Sequence, residues 1–145
     1  MGHFAGSGIR QNAIMPHIGL VAVLVHDYDK AIAFYTDALG FELREDTDQG
    51  GGRRWVVVAP PGSMETGILL AKASDDTERA RVGDQTGGRV GLLLNTDDFA
   101  RDHARMLAAG VEFEEEPRHE PYGSVAVFRD LYGNRWDLIQ PVAGN

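Results

Sequence analysis

Two side chains in this sequence could carry chemistry, a carboxylate in an apolar segment and a histidine in a loop. Asp137 stands between Trp136 and Leu138, in a segment typical of a buried strand. A carboxyl group in apolar surroundings has a raised pKa and can act as a general base, or it can anchor a polar group of a ligand. It can equally form a structural ion pair with Arg135 or Arg54. Asp137 is therefore the first catalytic or binding candidate.

The second candidate is His119, in the loop formed by residues 117–122. An imidazole at the border of a cleft can take up a proton or contact a ligand, whereas a solvent-exposed imidazole does neither. His17, His26 and His103 are interpreted as strand-end, capping or helix-surface residues. Because the chain has no cysteine, it has no thiolate nucleophile, disulfide or thiolate metal site.

Composition restricts the partners. The net charge is −8 and no cluster of Lys and Arg is present, so we expect neither nucleic acid nor an anionic membrane as a partner. The same charge would favour a cationic ligand, or serve only solubility. No apolar run approaches the roughly 20 residues of a membrane span, and the N-terminus lacks a signal pattern, which predicts a cytoplasmic protein. The length of 145 residues is typical of a single domain.

Apolar periodicity predicts the elements that position these residues. The first half has the order of one strand, one helix and three strands, with Asp27 or Asp29 capping the helix and Gly40 ending it. The predicted strands span residues 18–25, 41–47, 53–59 and 66–73. Residues 1–16 are predicted to form a flexible tail, and residues 74–87 an exposed linker.

The second half repeats this order. Its strands are predicted at residues 89–95, 111–115, 124–129 and 134–141, with a helix over 99–108. Gly40 aligns with Gly110 at an offset of 70, and Asp27 falls on Asp97 at that offset. This regularity indicates an internal duplication. The sequence therefore predicts an α+β fold of two tandem βαβββ modules, residues 17–73 and 88–141, which form an open, curved mixed sheet in a single domain, residues 17–145.

This order of elements resembles the glyoxalase/bleomycin-resistance/dioxygenase superfamily, also called the vicinal oxygen chelate superfamily. The resemblance is carried by VHDYDKAIAFYTDALGFEL in the first module and FRDLYGNRWDLIQP in the second. It implies that strands of both modules present side chains to one cleft, that a small molecule binds there, and that the protein is a homodimer. Members share a scaffold while their chemistry differs, so function depends on the residues in the cleft.

The resemblance also implies where a metal would be held. Enzymatic members bind a divalent ion through three or four His, Glu or Gln side chains, which stabilises an oxyanion on the substrate. The corresponding positions here are Leu20, Val90, Leu69 or Leu70, and Asp137. Since only Asp137 can coordinate a metal, a Zn, Ni, Mn or Fe site would need ligands at other positions.

Alternation along the strands predicts the lining of the cleft. If Leu20 and Asp137 face it, so do their alternate neighbours, and the offset adds positions of the second module. The added residues are Ala22, Leu24, Val90, Leu92, Leu94, Arg135 and Ile139. This surface is mostly apolar, which suits an apolar or aromatic small molecule.

Aromatic and polar residues complete the predicted binding set. Trp55 is a candidate stacking platform, whereas alternation places Trp136 under a helix. Three further residues fall at strand ends or in a loop beside the cleft. The predicted ligand-binding residues are Leu20, Trp55, Val90, Asn95, Tyr122, Phe128 and Arg135.

Three hypotheses of function remain open. The first is a binding protein that holds a small apolar or aromatic molecule without the standard metal ligands and resembles the bleomycin-resistance branch. The second is a divalent-metal-dependent lyase, isomerase or dioxygenase that uses Asp137 as a ligand. The third is a metal-free enzyme with Asp137 or His119 as general base. The metal-free hypotheses rank ahead of the metal enzyme.

Overall fold

A computed structural model describes residues 15–143, so the predicted tail lies outside the described residues except for its last two positions. The first module consists of β1 (Leu20–Val25), α1 (Tyr28–Ala33) with a π-helical continuation (Phe34–Ala38), β2 (Glu42–Gly50), β3 (Arg53–Ala59) and β4 (Gly67–Lys72). After a short helix α2 (Asp76–Arg79), the second module consists of β5 (Val90–Asn95), α3 (Phe99–Ala108), β6 (Glu112–Phe113), β7 (Arg118–Glu120), β8 (Gly123–Arg129) and β9 (Arg135–Pro141).

The strands form two open sheets of mixed direction. The first has the order β1-β4-β3-β2, and the second has the order β5-β9-β8-β6 with β7 added beside β8. In each sheet the first strand of the module pairs in parallel with its last strand. The predicted α+β fold of two βαβββ modules is confirmed. Strand β7 was missed, because three paired residues in a loop leave no readable alternation.

The two modules share one hydrophobic core. Buried residues of both modules form a single cluster, in which Tyr35 of the first module contacts Trp136 of the second with ring centroids 6.0 Å apart. The Tyr35 hydroxyl donates a hydrogen bond to the buried carboxylate of Asp130 at 2.7 Å. No helix within residues 15–143 is long and apolar enough to cross a membrane.

The helix of the first module is one residue longer than its counterpart, and this changes the alignment of the modules. Asp27 caps α1, but the cap of α3 is Asp98 rather than Asp97. Thirteen positions separate Asp27 from Gly40, whereas twelve separate Asp98 from Gly110. The π-helical continuation of α1 accommodates the extra residue, as such turns do. The offset of 70 therefore holds after the helices and fails before them.

This shift corrects the predicted orientation of β5. Leu92 and Leu94 pack against the core, whereas Leu93 and Asn95 are exposed on the opposite face. Val90 pairs with Arg135, after which a bulge interrupts the ladder. The prediction that Leu92 and Leu94 face the cleft is therefore wrong, because the extra residue reverses the alternation.

The linker forms hydrogen bonds with both modules. The side-chain amide of Gln85 donates to the carbonyl of Ala22 at 2.7 Å and accepts from the N–H of Leu24 at 2.8 Å, which satisfies part of the β1 edge. The Gln85 N–H donates to the Asn134 side chain at 3.3 Å. Gly83, with φ of +81°, lies against the carbonyl of Tyr132. The linker thus joins the edge of the first sheet to the turn between β8 and β9.

Candidate functional site

On the face of the first sheet that points away from the core, strands β1, β3 and β4 present mostly apolar side chains, bordered by Glu45 and Thr47 of β2. Alternation and pairing place Leu20, Ala22, Trp55, Val57, Leu69 and Ala71 on this face, and we call this set the first outer face. A Cβ added at Gly67 would meet side-chain atoms of Val57 at 3.2 Å and Leu20 at 3.3 Å. Leu20 is 37% exposed and Trp55 is half-buried. The predicted ligand residues Leu20 and Trp55 therefore share a surface.

The corresponding face of the second sheet, which we call the second outer face, combines apolar residues with charges. It carries Val90, Leu93, Asn95, Arg118, Val125, Val127, Arg135, Asp137 and Ile139. Val127 and Leu93 are the direct strand partners of Asp137, so their side chains flank the carboxylate. The predicted residues Val90, Asn95, Arg135 and Asp137 thus lie on one face.

Asp137 has no hydrogen bond or ion pair to its side chain within residues 15–143. Arg135 binds Glu114 at 2.9 Å, and Arg54 binds Asp46 at 2.7 Å, so neither arginine forms the structural pair considered for Asp137. Partial burial raises the pKa of Asp137, while the more distant charge of Arg118 opposes this increase. The carboxylate is therefore available to a polar group of a ligand.

Arg118 is held on this face by a network of polar contacts. Its guanidinium binds Glu115 at 3.0 Å and Glu120 at 3.0 Å, and it lies 3.5 Å from the hydroxyl of Tyr122. The ion pair with Arg118 lowers the pKa of Glu115. Tyr122, a predicted ligand residue, is half-exposed at the end of this network. Sequence analysis missed Arg118, because its orientation depends on the unpredicted strand β7.

Two predicted site residues lie elsewhere. His119 pairs with Ser124, whose hydroxyl is 2.9 Å from its Nδ1, so alternation directs it to the face opposite Arg118 and Asp137. His119 and Asp137 therefore do not lie on one face. Phe128 is fully buried and stacks on Trp136 in the core. Its expected place beside the cleft is corrected, because alternation along β8 turns it inward.

The donor set does not fit the metal site of the enzymatic relatives. No group of three or more His, Asp or Glu side chains that could hold a metal ion occurs in the part of the chain that the structure describes. The strand partners of Asp137 are a leucine and a valine, and the other positions that the resemblance assigns to ligands are apolar as well. A divalent ion requires several such ligands. No metal-dependent step is derived for this site.

Comparison with known proteins identifies the family. The model of the Glyoxalase/Bleomycin resistance protein/Dioxygenase superfamily matches residues 16–138. The chain belongs to this superfamily. A superfamily relative in Shewanella frigidimarina (strain NCIMB 400), named only as an uncharacterized protein, is 54% identical over 83% of this chain and 90% of its own length.

Two solved structures are similar to the chain over nearly their whole length. UcmS2 is 33% identical with a TM-score of 0.76, covering 87% of this chain and 98% of that protein. TnmS3, described as an antibiotic binding protein from Streptomyces sp. CB03234, is 37% identical with a TM-score of 0.73. That match covers 88% of this chain and 98% of TnmS3.

Proposed function

We propose that this protein binds a small apolar or aromatic molecule on its outer faces without a metal ion. The observation that carries the proposal is the first outer face, where Trp55 and leucine side chains form an apolar surface open to solvent. Such a surface suits the body of an aromatic ligand. The description of TnmS3 as an antibiotic binding protein supports the proposed binding of a small molecule and makes antibiotics one ligand class to test.

The second outer face supplies polar groups to the proposed ligand. Asp137 offers an acceptor that no residue within 15–143 engages, and the half-exposed Tyr122 offers a hydroxyl. A few fixed polar groups beside an apolar surface orient a ligand and give specificity. In this proposal Asp137 and Tyr122 contact the ligand, whereas Arg118 is held by its glutamates and positions the Tyr122 hydroxyl.

We further propose that a second copy of the chain completes the groove. Leu93 is 61% exposed on the second outer face and Leu20 is 37% exposed on the first. No hydrogen bond joins the two outer faces of one chain within residues 15–143. A homodimer that brings the first outer face of one copy to the second outer face of another would cover both leucines and enclose a ligand.

Titration with the neutral fluorescent probe N-phenyl-1-naphthylamine tests the proposed binding. We expect saturable binding that Trp55→Ala weakens about tenfold, because the aromatic platform is lost, while Trp55→Phe retains affinity within about threefold. Leu107→Ala removes an exposed leucine of α3 and serves as the matched control, with unchanged affinity. Absence of saturable binding, or equal affinity of Trp55→Ala and the wild type, would contradict the proposal.

A further inference from the structure

The first sheet is split between its two central strands next to Trp55. The ladder of β3 and β4 extends only from Val56–Leu70 to Val58–Ile68, although both strands continue. Beyond Val56 the N–H of Arg54 donates to the hydroxyl of Tyr28 at 3.1 Å instead of to β4. The buried side chain of Tyr28, at the start of α1, therefore occupies the place of a strand partner and separates the two strand ends.

The split opens into a cavity of about 280 Å³. Trp55, Leu69 and Ala71 of the first outer face contribute apolar wall, and Gly51 and Gly52 of the β2–β3 turn form one rim. The cavity is thus continuous with the proposed binding surface. A ligand that lies on Trp55 can place one edge between the strands.

The charged residues of this cavity are all basic. Arg53, Arg54 and Lys72 line it, and no Asp or Glu does. Arg54 is already ion-paired: its guanidinium binds Asp29 at 3.0 Å and Asp46 at 2.7 Å. It also lies 5.1 Å from the Tyr28 ring centroid. Arg53 and Lys72 form no ion pair within residues 15–143. Lys72 reaches the cavity from the core-facing side of β4, where its charge also lowers the pKa of Asp27, whereas Arg53 shares the face of Trp55. Two cations without an ion pair in this range thus line a cavity in a protein of net charge −8.

We propose that this split between β3 and β4 is a subsite for the anionic group of an aromatic acid, held by Arg53 and Lys72 while the ring system lies on Trp55. The proposal rests on the proposed function and assigns its ligand class. An acid group would receive charge-assisted hydrogen bonds from two cations that form no ion pair within residues 15–143. The overall negative charge of the chain alone would favour a cationic ligand, whereas the charged side chains that line this cavity are basic, with Asp29 and Asp46 beside it on Arg54.

Two probes that differ by one sulfonate test the subsite. 1-Anilinonaphthalene-8-sulfonate carries the anion, and N-phenyl-1-naphthylamine has the same rings without it. We expect the wild type to bind the sulfonate about tenfold more tightly than the neutral probe. Arg53→Gln and Lys72→Gln should each weaken sulfonate binding about fivefold and leave neutral-probe affinity unchanged. Arg89→Gln removes the same charge from an exposed arginine outside the cavity and should change neither affinity.

The outcomes separate the subsite from the proposed function. Equal affinity for the two probes would overturn the subsite. Equal losses for both probes in Arg53→Gln and Lys72→Gln would also overturn it. In either case, binding of the neutral probe would still support the proposed function. A loss in Arg89→Gln as large as in Arg53→Gln would also overturn it, because a general charge effect would then explain the preference. Failure of both probes to bind would overturn both proposals.

Discussion

At the scale of single residues, Asp137 is unusual because its carboxylate is partly buried among apolar side chains. It lies between Val127 and Leu93 on neighbouring strands, without an ion pair in the described range 15–143. The sequence predicted its face and that of Arg135, because strand alternation is local. It could not predict that Glu114 binds Arg135, because that contact depends on how a separate segment folds back.

The raised pKa of Asp137 predicts how stability depends on pH. The native state holds this proton more tightly than the unfolded state, so stability falls as pH rises from the usual aspartate value through the raised value. Asp137→Asn should therefore raise the free energy of unfolding by about 0.5–1 kcal/mol at pH 7 and by nearly nothing at pH 3. Urea unfolding at both pH values measures this.

Asp37→Asn provides the control for charge, since Asp37 is exposed and forms no ion pair in the described chain. We expect it to change the free energy of unfolding at pH 7 by less than about 0.5 kcal/mol. Destabilisation of Asp137→Asn at pH 7 would show that the native carboxylate is engaged by a cation and is not available to a ligand.

At the scale of elements, helix caps and ends were predictable and insertions were not. Gly40 ends the helix as predicted, and of the two predicted caps, Asp27 and Asp29, the structure shows Asp27. The π-helical continuation of α1 has no local sequence signature, because one extra residue inside a helix changes neither composition nor capping. That single residue shifted the alignment of the modules and reversed the predicted faces of Leu92 and Leu94.

The linker offers a test of how tightly it joins the modules. Gly83 and Gly87 both have positive φ, at +81° and +69°, but only at Gly83 would an added Cβ collide, at 1.8 Å from the Tyr132 carbonyl oxygen. Gly87→Ala should cost about 1 kcal/mol of stability for the backbone conformation alone. Gly83→Ala should cost at least about 2 kcal/mol more, as measured by thermal unfolding. Similar losses for both variants would mean that the linker does not pack against the β8–β9 turn.

At the scale of the whole molecule, duplication produced two modules around one core with two outer faces left uncovered. The duplication was predictable, because the order of elements repeats within the chain. The arrangement of the two faces relative to each other was not predictable, because it depends on contacts between distant segments, such as the hydrogen bond from Tyr35 to Asp130.

The proposed homodimer predicts a mass of twice 15.8 kDa in light scattering. Leu93→Glu places a charge in the proposed interface and should shift the protein toward the monomer, because a buried unpaired carboxylate is costly. Leu107→Glu alters a leucine of α3 with similar exposure, away from both outer faces, and should remain dimeric. A monomeric wild type, or a dimer unaffected by Leu93→Glu, would contradict this arrangement.

Titration of N-phenyl-1-naphthylamine in the presence and absence of EDTA measures whether ligand binding is independent of a metal ion. Because the residues around Asp137 do not form a metal-binding set within 15–143, we expect the same Kd within about twofold in both conditions. Protein purified without chelator should contain less than about a tenth of an equivalent of Zn, Ni, Mn or Fe. Binding that EDTA abolishes and one of these ions restores would contradict metal-independent binding.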